Sequence, residues 1–79
     1  MTRNDTIENG THIGKAIQGD LNEQGRSVVW FAKQMNCSPQ NVFSIFKRAT
    51  PSLDICRRAS KILGKDYIRI LIAEVEEKD

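Results

Sequence analysis

The 79-residue sequence is poor in the residues that carry most enzyme chemistry. His12 is its single histidine, so we expect no Ser/His/Asp or Cys/His catalytic arrangement and no metal site built around it. The only cysteines, Cys37 and Cys56, lack a CxxC spacing. We interpret both as reduced, small apolar side chains, with a disulfide or a metal site as the alternative. These scarcities predict a protein that is not an enzyme and that uses no metal or cofactor.

Long apolar segments are also missing from the sequence. The longest uninterrupted apolar run is VVWFA, residues 28–32, whereas a membrane-spanning helix needs about 20 such residues. The opening segment, MTRNDTIENG, contains no apolar stretch of the kind found in secretory signals. We therefore expect a cytoplasmic protein that does not associate with membranes.

Along most of the sequence, apolar residues recur at the spacing of an α-helix. Hydrophobic residues make up 39% of the chain and charged residues 28%, which is typical of one small globular domain. We interpret the polar residues 1–10 as a flexible N-terminal arm and residues 11–79 as a single compact, all-α domain of five short helices. The predicted helices are 12–24 capped by Thr11, 28–35 capped by Ser27, 39–48 capped by Ser38, 53–63 capped by Ser52, and about 66–76 capped by Asp66. Leu53 and Cys56 are expected on the core-facing side of the fourth helix.

The second and third helices are joined almost without a loop, at Asn36 and Cys37. Two helices joined by a turn of about three residues cross at a wide angle, which predicts a helix-turn-helix at about residues 27–48. The inward side of the third helix is predicted to carry Val42, Ile45 and Phe46. Its opposite face is therefore free for a partner.

The free face of the third helix has the chemistry of a base reader. Gln40 and Asn41 each offer a donor and an acceptor, which matches the edge of adenine in the major groove. Ser44 is small enough for a base edge to approach, and Lys47 and Arg48 follow at a distance suited to flanking phosphates. The alternative is that all of these are ordinary solvent-facing side chains.

Charge is unevenly distributed along the chain. The net charge is +2, but residues 36–65 contain six cations and only Asp54 as an anion, whereas the last fourteen residues contain five acids and two cations. A basic middle segment favours a polyanionic partner such as nucleic acid. A solvated charged surface explains the same pattern without a partner.

The segment SVVWFAKQMNCSPQNVFSIFKR, followed by TPSLDICRRASKILG, resembles the XRE-type (lambda-repressor-like, Cro-type) helix-turn-helix regulators. The matching features include the capping Ser27, the pair Phe31-Ala32 and the ending Leu63-Gly64. The resemblance covers roughly residues 12–66. It implies a cytoplasmic bacterial or phage regulator that binds double-stranded DNA, often as a homodimer on a palindromic operator. No small-molecule effector is implied.

The resemblance also implies roles for individual residues. Carried over by position, the base-reading residues are Pro39, Gln40, Asn41 and Ser44. The phosphate-contacting residues are Ser38, Lys47, Arg48 and Arg26. Four positions depart from the family's pattern. Arg26 stands at a usual core leucine position and is expected to turn outward, and Phe46 replaces the usual glutamate near the end of the third helix. Pro39 stands where a polar reader is common and offers only packing, and Val28 stands where a glutamine often contacts phosphate.

The fifth helix is more apolar than one core-facing side requires. Its surplus predicts an interface for a homodimer, whereas a helix that simply wraps the core of a monomer is the alternative. The candidate interface residues are Ile68, Leu71, Ile72 and Val75.

The leading hypothesis for the function of the chain is a sequence-specific DNA-binding repressor. The second is a protein-interaction module of the same fold, such as a toxin–antitoxin or phage accessory protein, that binds a partner through the fifth helix or through Phe43 and Trp30.

Overall fold

The computed structural model describes residues 12–77, with the side chains of residues 12–73. Within these bounds the chain forms five α-helices and no strand, which confirms the prediction of an all-α fold. The helices are α1 Ile13–Glu23, α2 Val28–Met35, α3 Pro39–Phe46, α4 Leu53–Leu63 and α5 Tyr67–Glu77. The predicted arm, residues 1–10, lies outside the described residues.

Side chains cap the helix starts, mostly where the sequence predicts. The Oγ atoms of Ser27, Ser38 and Ser52 each accept a hydrogen bond from the N–H three residues later, at 3.0, 3.2 and 3.3 Å. The predicted cap of α1 is wrong. His12 occupies that position instead, because its extended backbone lets Nδ1 accept the N–H of Lys15 at 3.1 Å. Thr11 itself lies outside the described residues.

Left-handed residues end three of the helices. Gly25 follows α1 with φ 71° and Gly64 follows α4 with φ 72°, as predicted for glycines that stop a helix. Asn36 has φ 59° and ends α2, where asparagine is the side chain that best tolerates this conformation. The left-handed turn at Asn36 lets α3 begin only three residues later.

The third helix is shorter than predicted. It ends at Phe46 with Lys47 as its cap, so the predicted extent to residue 48 is wrong. The N–H groups of Lys47 and Arg48 bond to carbonyls only three residues back, which tightens the last turn and ends the α-helical ladder. Lys47 and Arg48 therefore project from the end of α3 rather than from its middle.

The buried apolar side chains form one core to which all five helices contribute. Its members are Ile13, Ile17, Leu21, Phe31, Ala32, Met35, Val42, Ile45, Phe46, Cys56, Ala59, Leu63 and Tyr67. Leu53 is not among them. Its side chain is 51% exposed, and the prediction that it faces the core is wrong, because it lies at the very start of α4 while the buried side begins at Cys56.

A chain of hydrogen bonds fixes α5 to α1 and α4. The hydroxyl of Tyr67, on a side chain only 1% exposed, donates to Asp20 Oδ2 at 2.5 Å. Ser60 Oγ accepts the N–H of Tyr67 at 3.0 Å and donates to the carbonyl of Cys56 at 2.6 Å. Burial, together with the hydrogen bond and the charge of Asp20, raises the pKa of Tyr67. These bonds satisfy the polar groups that α5 brings into the core.

Both cysteines are free thiols. Cys56 is buried, its Sγ lies 3.7 Å from the carbonyl oxygen of Pro51, and burial raises its pKa. Cys37 is half-buried and packs against the core. The interpretation of both as small apolar side chains is confirmed.

Candidate nucleic-acid interface

The C-terminal end of α3 lies directly on the first turn of α1. The N–H groups of Ile13 and Gly14 donate to the carbonyls of Ala49 and Arg48, each at 2.9 Å. Gly14 permits this approach, because a Cβ at that position would lie 2.6 Å from the carbonyl oxygens of Arg48 and Phe46. In the sequence, Gly14 only lowers the helix propensity of α1. In the structure, its missing Cβ leaves room for the backbone carbonyls at the end of α3.

The turn that precedes α3 is held from α4. Arg58 Nη2 donates to the carbonyl oxygen of Met35, the last residue of α2, at 2.6 Å, while Nη1 lies 3.6 Å from Asp54 Oδ2. A cation at the carbonyl end of a helix is favourable because of the helix dipole. Arg58 is thus exposed but bonded to α2, whereas Arg57 and Lys61 are exposed on the same helix.

Between these two attachments, α3 presents an exposed polar face. Val42, Ile45 and Phe46 are buried, as predicted. The four predicted base readers, Pro39, Gln40, Asn41 and Ser44, are all exposed. Among the described residues, no side chain of these four forms a hydrogen bond. Their donors and acceptors are available to a partner.

A groove of about 280 Å³ runs along the α4 side of this face. Asn41, Ser44 and Arg48 line it from α3 and the residues after it, and Arg58 lines it from α4. Its floor is apolar and consists of Met35, Cys37, Ile45 and Ile55. An amide, a hydroxyl and two guanidinium groups thus surround one groove. This arrangement suits hydrogen-bond acceptors and negative charge.

A second cleft, of about 400 Å³, runs along the α1 side of the same face. It is lined by His12, Lys15 and Gln18 from α1 and by Phe43, Phe46 and Lys47 from α3 and its cap. Phe43 is 51% exposed, and its ring meets the buried ring of Phe46 edge to face, with centroids 6.1 Å apart. Sequence reasoning missed Lys15 and Gln18. Their i, i+3 spacing places them on one side of α1, but the sequence does not reveal that α3 is the neighbour there.

The remaining predicted phosphate contacts lie at helix ends. Ser38 Oγ accepts a backbone N–H as the cap of α3, and its hydroxyl proton stays free to donate. The guanidinium of Arg26, between α1 and α2, stacks 4.5 Å from the centroid of the Trp30 ring. Trp30 is half-buried and packs against the core. Arg26 is exposed and points away from the core, although an apolar residue is usual at this position in the XRE-type pattern.

The candidate dimer residues divide into two groups on α5. Ile68 and Leu71 are half-buried and pack against the core. Ile72 is 51% exposed and, with Ile68 and Ala73, borders a shallow depression that also includes Asp66 and Arg69. The side chain of Val75 lies outside the described residues. Among the described side chains of α5, the exposed apolar surface is a narrow strip centred on Ile72.

Metal binding, membrane insertion and similarity to known proteins contribute no evidence about this site. Between residues 12 and 77 no group of three or more His, Cys, Asp or Glu side chains is placed to hold a metal ion. None of the described helices combines the length and the apolar character that crossing a bilayer requires. The chain matches no family model, no curated protein and no solved structure, so its function has to be argued from its own residues.

Proposed function

We propose that this chain binds double-stranded DNA in a sequence-specific way, with α2 and α3 acting as a helix-turn-helix. The observation that carries the proposal is the exposed polar face of α3, a short helix that is bonded to α1 just after its C-terminal end and is preceded by an α2 end that is bonded to α4. A helix held in this way presents its side chains to a groove at a constant angle. The major groove of B-DNA is wide enough to admit such a helix.

The side chains on that face fall into two roles. Gln40, Asn41 and Ser44 are base readers, because amide and hydroxyl groups recognise the donor and acceptor pattern of base edges. Pro39, at the first position of α3, has no donor and contributes packing, for which a thymine methyl is a suitable partner. Hydrogen bonds from the amides distinguish one base pair from another.

Cations at the ends of α3 supply affinity rather than specificity. Lys47 and Arg48 follow directly after the base-reading residues, and both are exposed. Ser38 and Arg26 add a hydroxyl donor and a guanidinium near the starts of α3 and α2. Contacts of this kind with phosphates position the helix in the groove and are the same for every sequence. Lys47 and Arg48 are two of the six cations in residues 36–65.

A protein that occupies an operator in this way acts most simply as a repressor, because it excludes polymerase from the same DNA. The resemblance to XRE-type regulators supports this role. Under this proposal the chain is a transcriptional regulator of a phage, a mobile element or a toxin–antitoxin system.

The proposal is tested by fluorescence anisotropy with labelled duplex DNA at several salt concentrations. We expect binding to mixed-sequence DNA at low salt, with a log–log slope of about −0.9 for each phosphate contacted. Selection from a random duplex library then yields a preferred operator. Absence of any binding at low salt would contradict the proposal.

We further propose that two copies pair through α5. A two-fold dimer that buries Ile72 against its symmetry mate would place two α3 helices on successive turns of DNA, about 34 Å apart.

We expect Ile72→Glu to shift the chain to a monomer in sedimentation velocity, because two carboxylates would face each other across the axis. Lys33→Glu, which places a carboxylate at an exposed position on α2 away from this strip, is the control and should leave the dimer intact. A wild-type chain that is monomeric at all concentrations, including on operator DNA, would rule out the pairing.

A second candidate function has support from the exposed apolar side chains. Phe43 and Ile72, each 51% exposed, fit a protein-interaction module of the same fold. Such a module would bind its partner with little salt dependence, whereas DNA binding weakens steeply as salt rises. Salt dependence therefore separates the two.

A further inference from the structure

The cleft between α1 and α3 combines an exposed aromatic ring with cations on both sides. Phe43 lines the cleft together with Lys15 from α1 and Lys47 at the end of α3. The other lining residues are His12, Gln18 and Phe46, so among the residues that the structure describes no carboxylate lines the cleft. A surface that exposes an apolar ring and surrounds it with positive charge is suited to a ligand that is apolar and anionic at once.

We propose that this cleft binds one sugar–phosphate strand of the DNA duplex whose bases α3 reads. In this arrangement Lys15 and Lys47 contact neighbouring phosphates, and the ring of Phe43 packs on the deoxyribose between them. The inference rests on the proposed function and extends its contact surface from α3 to α1. It assigns a binding role to Lys15, Gln18 and Phe43, which the sequence pattern of a helix-turn-helix does not provide.

Charge and continuity favour a DNA strand over a protein partner. Lys47 belongs both to the exposed face of α3 and to the cleft, so a strand that borders the groove occupied by α3 also passes the cleft. The lysine ammonium groups act as point charges toward phosphate. The two acids of α1, Asp20 and Glu23, lie beyond the lining residues, and Asp20 is engaged with Tyr67.

The ring of Phe43 is oriented for such a contact. Its edge-to-face packing on Phe46, with an interplanar angle of 86°, braces one side of the ring while about half of the side chain stays exposed. A braced ring loses little conformational freedom when a sugar packs on it. Because every nucleotide carries the same sugar and phosphate, contacts in this cleft add affinity without sequence preference.

The experiment compares Lys15→Gln with Lys33→Gln, which removes the same charge from an exposed site on α2 that lines neither cleft. We expect Lys15→Gln to reduce the magnitude of the log–log salt slope by about 0.9, so that the ratio of wild-type to variant affinity falls about threefold between 50 and 200 mM salt. Lys33→Gln should leave the slope at its wild-type value. If both variants keep the wild-type slope, the cleft does not contact a phosphate through Lys15 and the inference is wrong.

The contact of Phe43 is tested separately with Phe43→Ala and Phe43→Leu. We expect the alanine variant to bind operator and mixed DNA several-fold more weakly by the same factor, with an unchanged salt slope, and the leucine variant to recover part of the loss. Melting curves identify the range in which each variant is folded, and binding is compared only there. Equal affinity of Phe43→Ala and wild type would overturn the sugar contact.

These outcomes are distinct from a failure of the proposed function. If the wild-type chain prefers one operator but Lys15→Gln behaves as Lys33→Gln does, α3 still reads DNA and only the cleft inference is wrong. If the wild-type chain binds no DNA at low salt, both are wrong.

Discussion

One side of α3 packs on the other helices, whereas the other side faces away from them within the part of the chain that the structure describes. On the fixed side, Val42, Ile45 and Phe46 are buried, and the residues after the helix bond to the first turn of α1. On the free side, Gln40, Asn41 and Ser44 are exposed. A helix of eight residues is marginal on its own in water, where isolated helices need about 12–15 residues. The fixed side therefore determines the orientation of α3. The side chains of the free side are not needed to hold the helix in place, so they can serve to bind a partner.

The two borders of the free side also differ from each other. The α4 border carries Asn41 and Ser44, whose amide and hydroxyl groups form directional hydrogen bonds. The α1 border carries Phe43, Lys15 and Lys47, which offer an apolar surface and point charges. Directional groups distinguish base edges, whereas apolar surfaces and lysines do not. The difference divides the surface into a part for specificity and a part for affinity.

The largest effect is expected from a change that breaks the fixed side. Gly14→Ala places a methyl group 2.6 Å from the carbonyl oxygens of Phe46 and Arg48, which are backbone atoms that cannot rotate away. Overpacking of this kind destabilises a protein by about 1–3 kcal/mol, and we expect the upper end because α3 must shift as a unit. Chemical denaturation measures the loss of stability.

Gly19→Ala on the same helix is the matched control for that change. No atom lies within 4 Å of the position that a Cβ at Gly19 would occupy, and the residue is exposed. Alanine in a helix interior is favoured over glycine by about 0.5–1 kcal/mol, so we expect this variant to be more stable than wild type. Equal effects of the two substitutions would show that close approach of α3 to α1 is not what Gly14 provides.

A smaller loss is expected from a change far from α3. Tyr67→Phe removes the hydroxyl that donates to Asp20 and should destabilise the fold by about 1.5 kcal/mol, the lower end for hydrogen bonds to charged groups. Because this contact joins α5 to α1, the variant should keep the DNA sequence preference of wild type under conditions in which it is folded. Loss of preference in Tyr67→Phe would contradict the view that only the attachments of α3 orient it.

The same tyrosine predicts a pH dependence of stability. The pKa of Tyr67 is raised above its ordinary value of 10.0 in the folded chain, so the folded state retains a proton that the unfolded state releases at high pH. The contribution of Tyr67 to the free energy of unfolding is thus complete below pH 10 and declines as pH rises further. Urea denaturation between pH 8 and pH 11 should show a steeper decline for wild type than for Tyr67→Phe.

The parts of this structure that follow from local chemistry could be predicted from the sequence. Serines at Ser27, Ser38 and Ser52 cap their helices, and Gly25 and Gly64 stop theirs, because each depends only on a few neighbouring residues. Exposure of the polar face of α3 followed from the spacing of its apolar residues.

The parts that depend on contacts between helices could not be predicted in the same way. Arg58 reaches the end of α2 from a helix 23 residues further along, and no local pattern signals that contact. Gly14 is a weak helix residue until the carbonyls of α3 are placed beside it. The early end of α3 has the same origin, since the carbonyl of Arg48 is bound by α1 instead of continuing a helical ladder.

The central claim is that the free side of α3 reads bases, and the most direct measurement compares Asn41→Ala with Lys47→Gln on the selected operator and on mixed DNA. Both residues are exposed, so each variant should keep the stability of wild type within about 0.5 kcal/mol. We expect Asn41→Ala to lose about 1–3 kcal/mol of discrimination, while Lys47→Gln weakens binding to both DNAs by one factor and keeps their ratio. An unchanged ratio in Asn41→Ala, together with unchanged ratios in Gln40→Ala and Ser44→Ala, would contradict the claim.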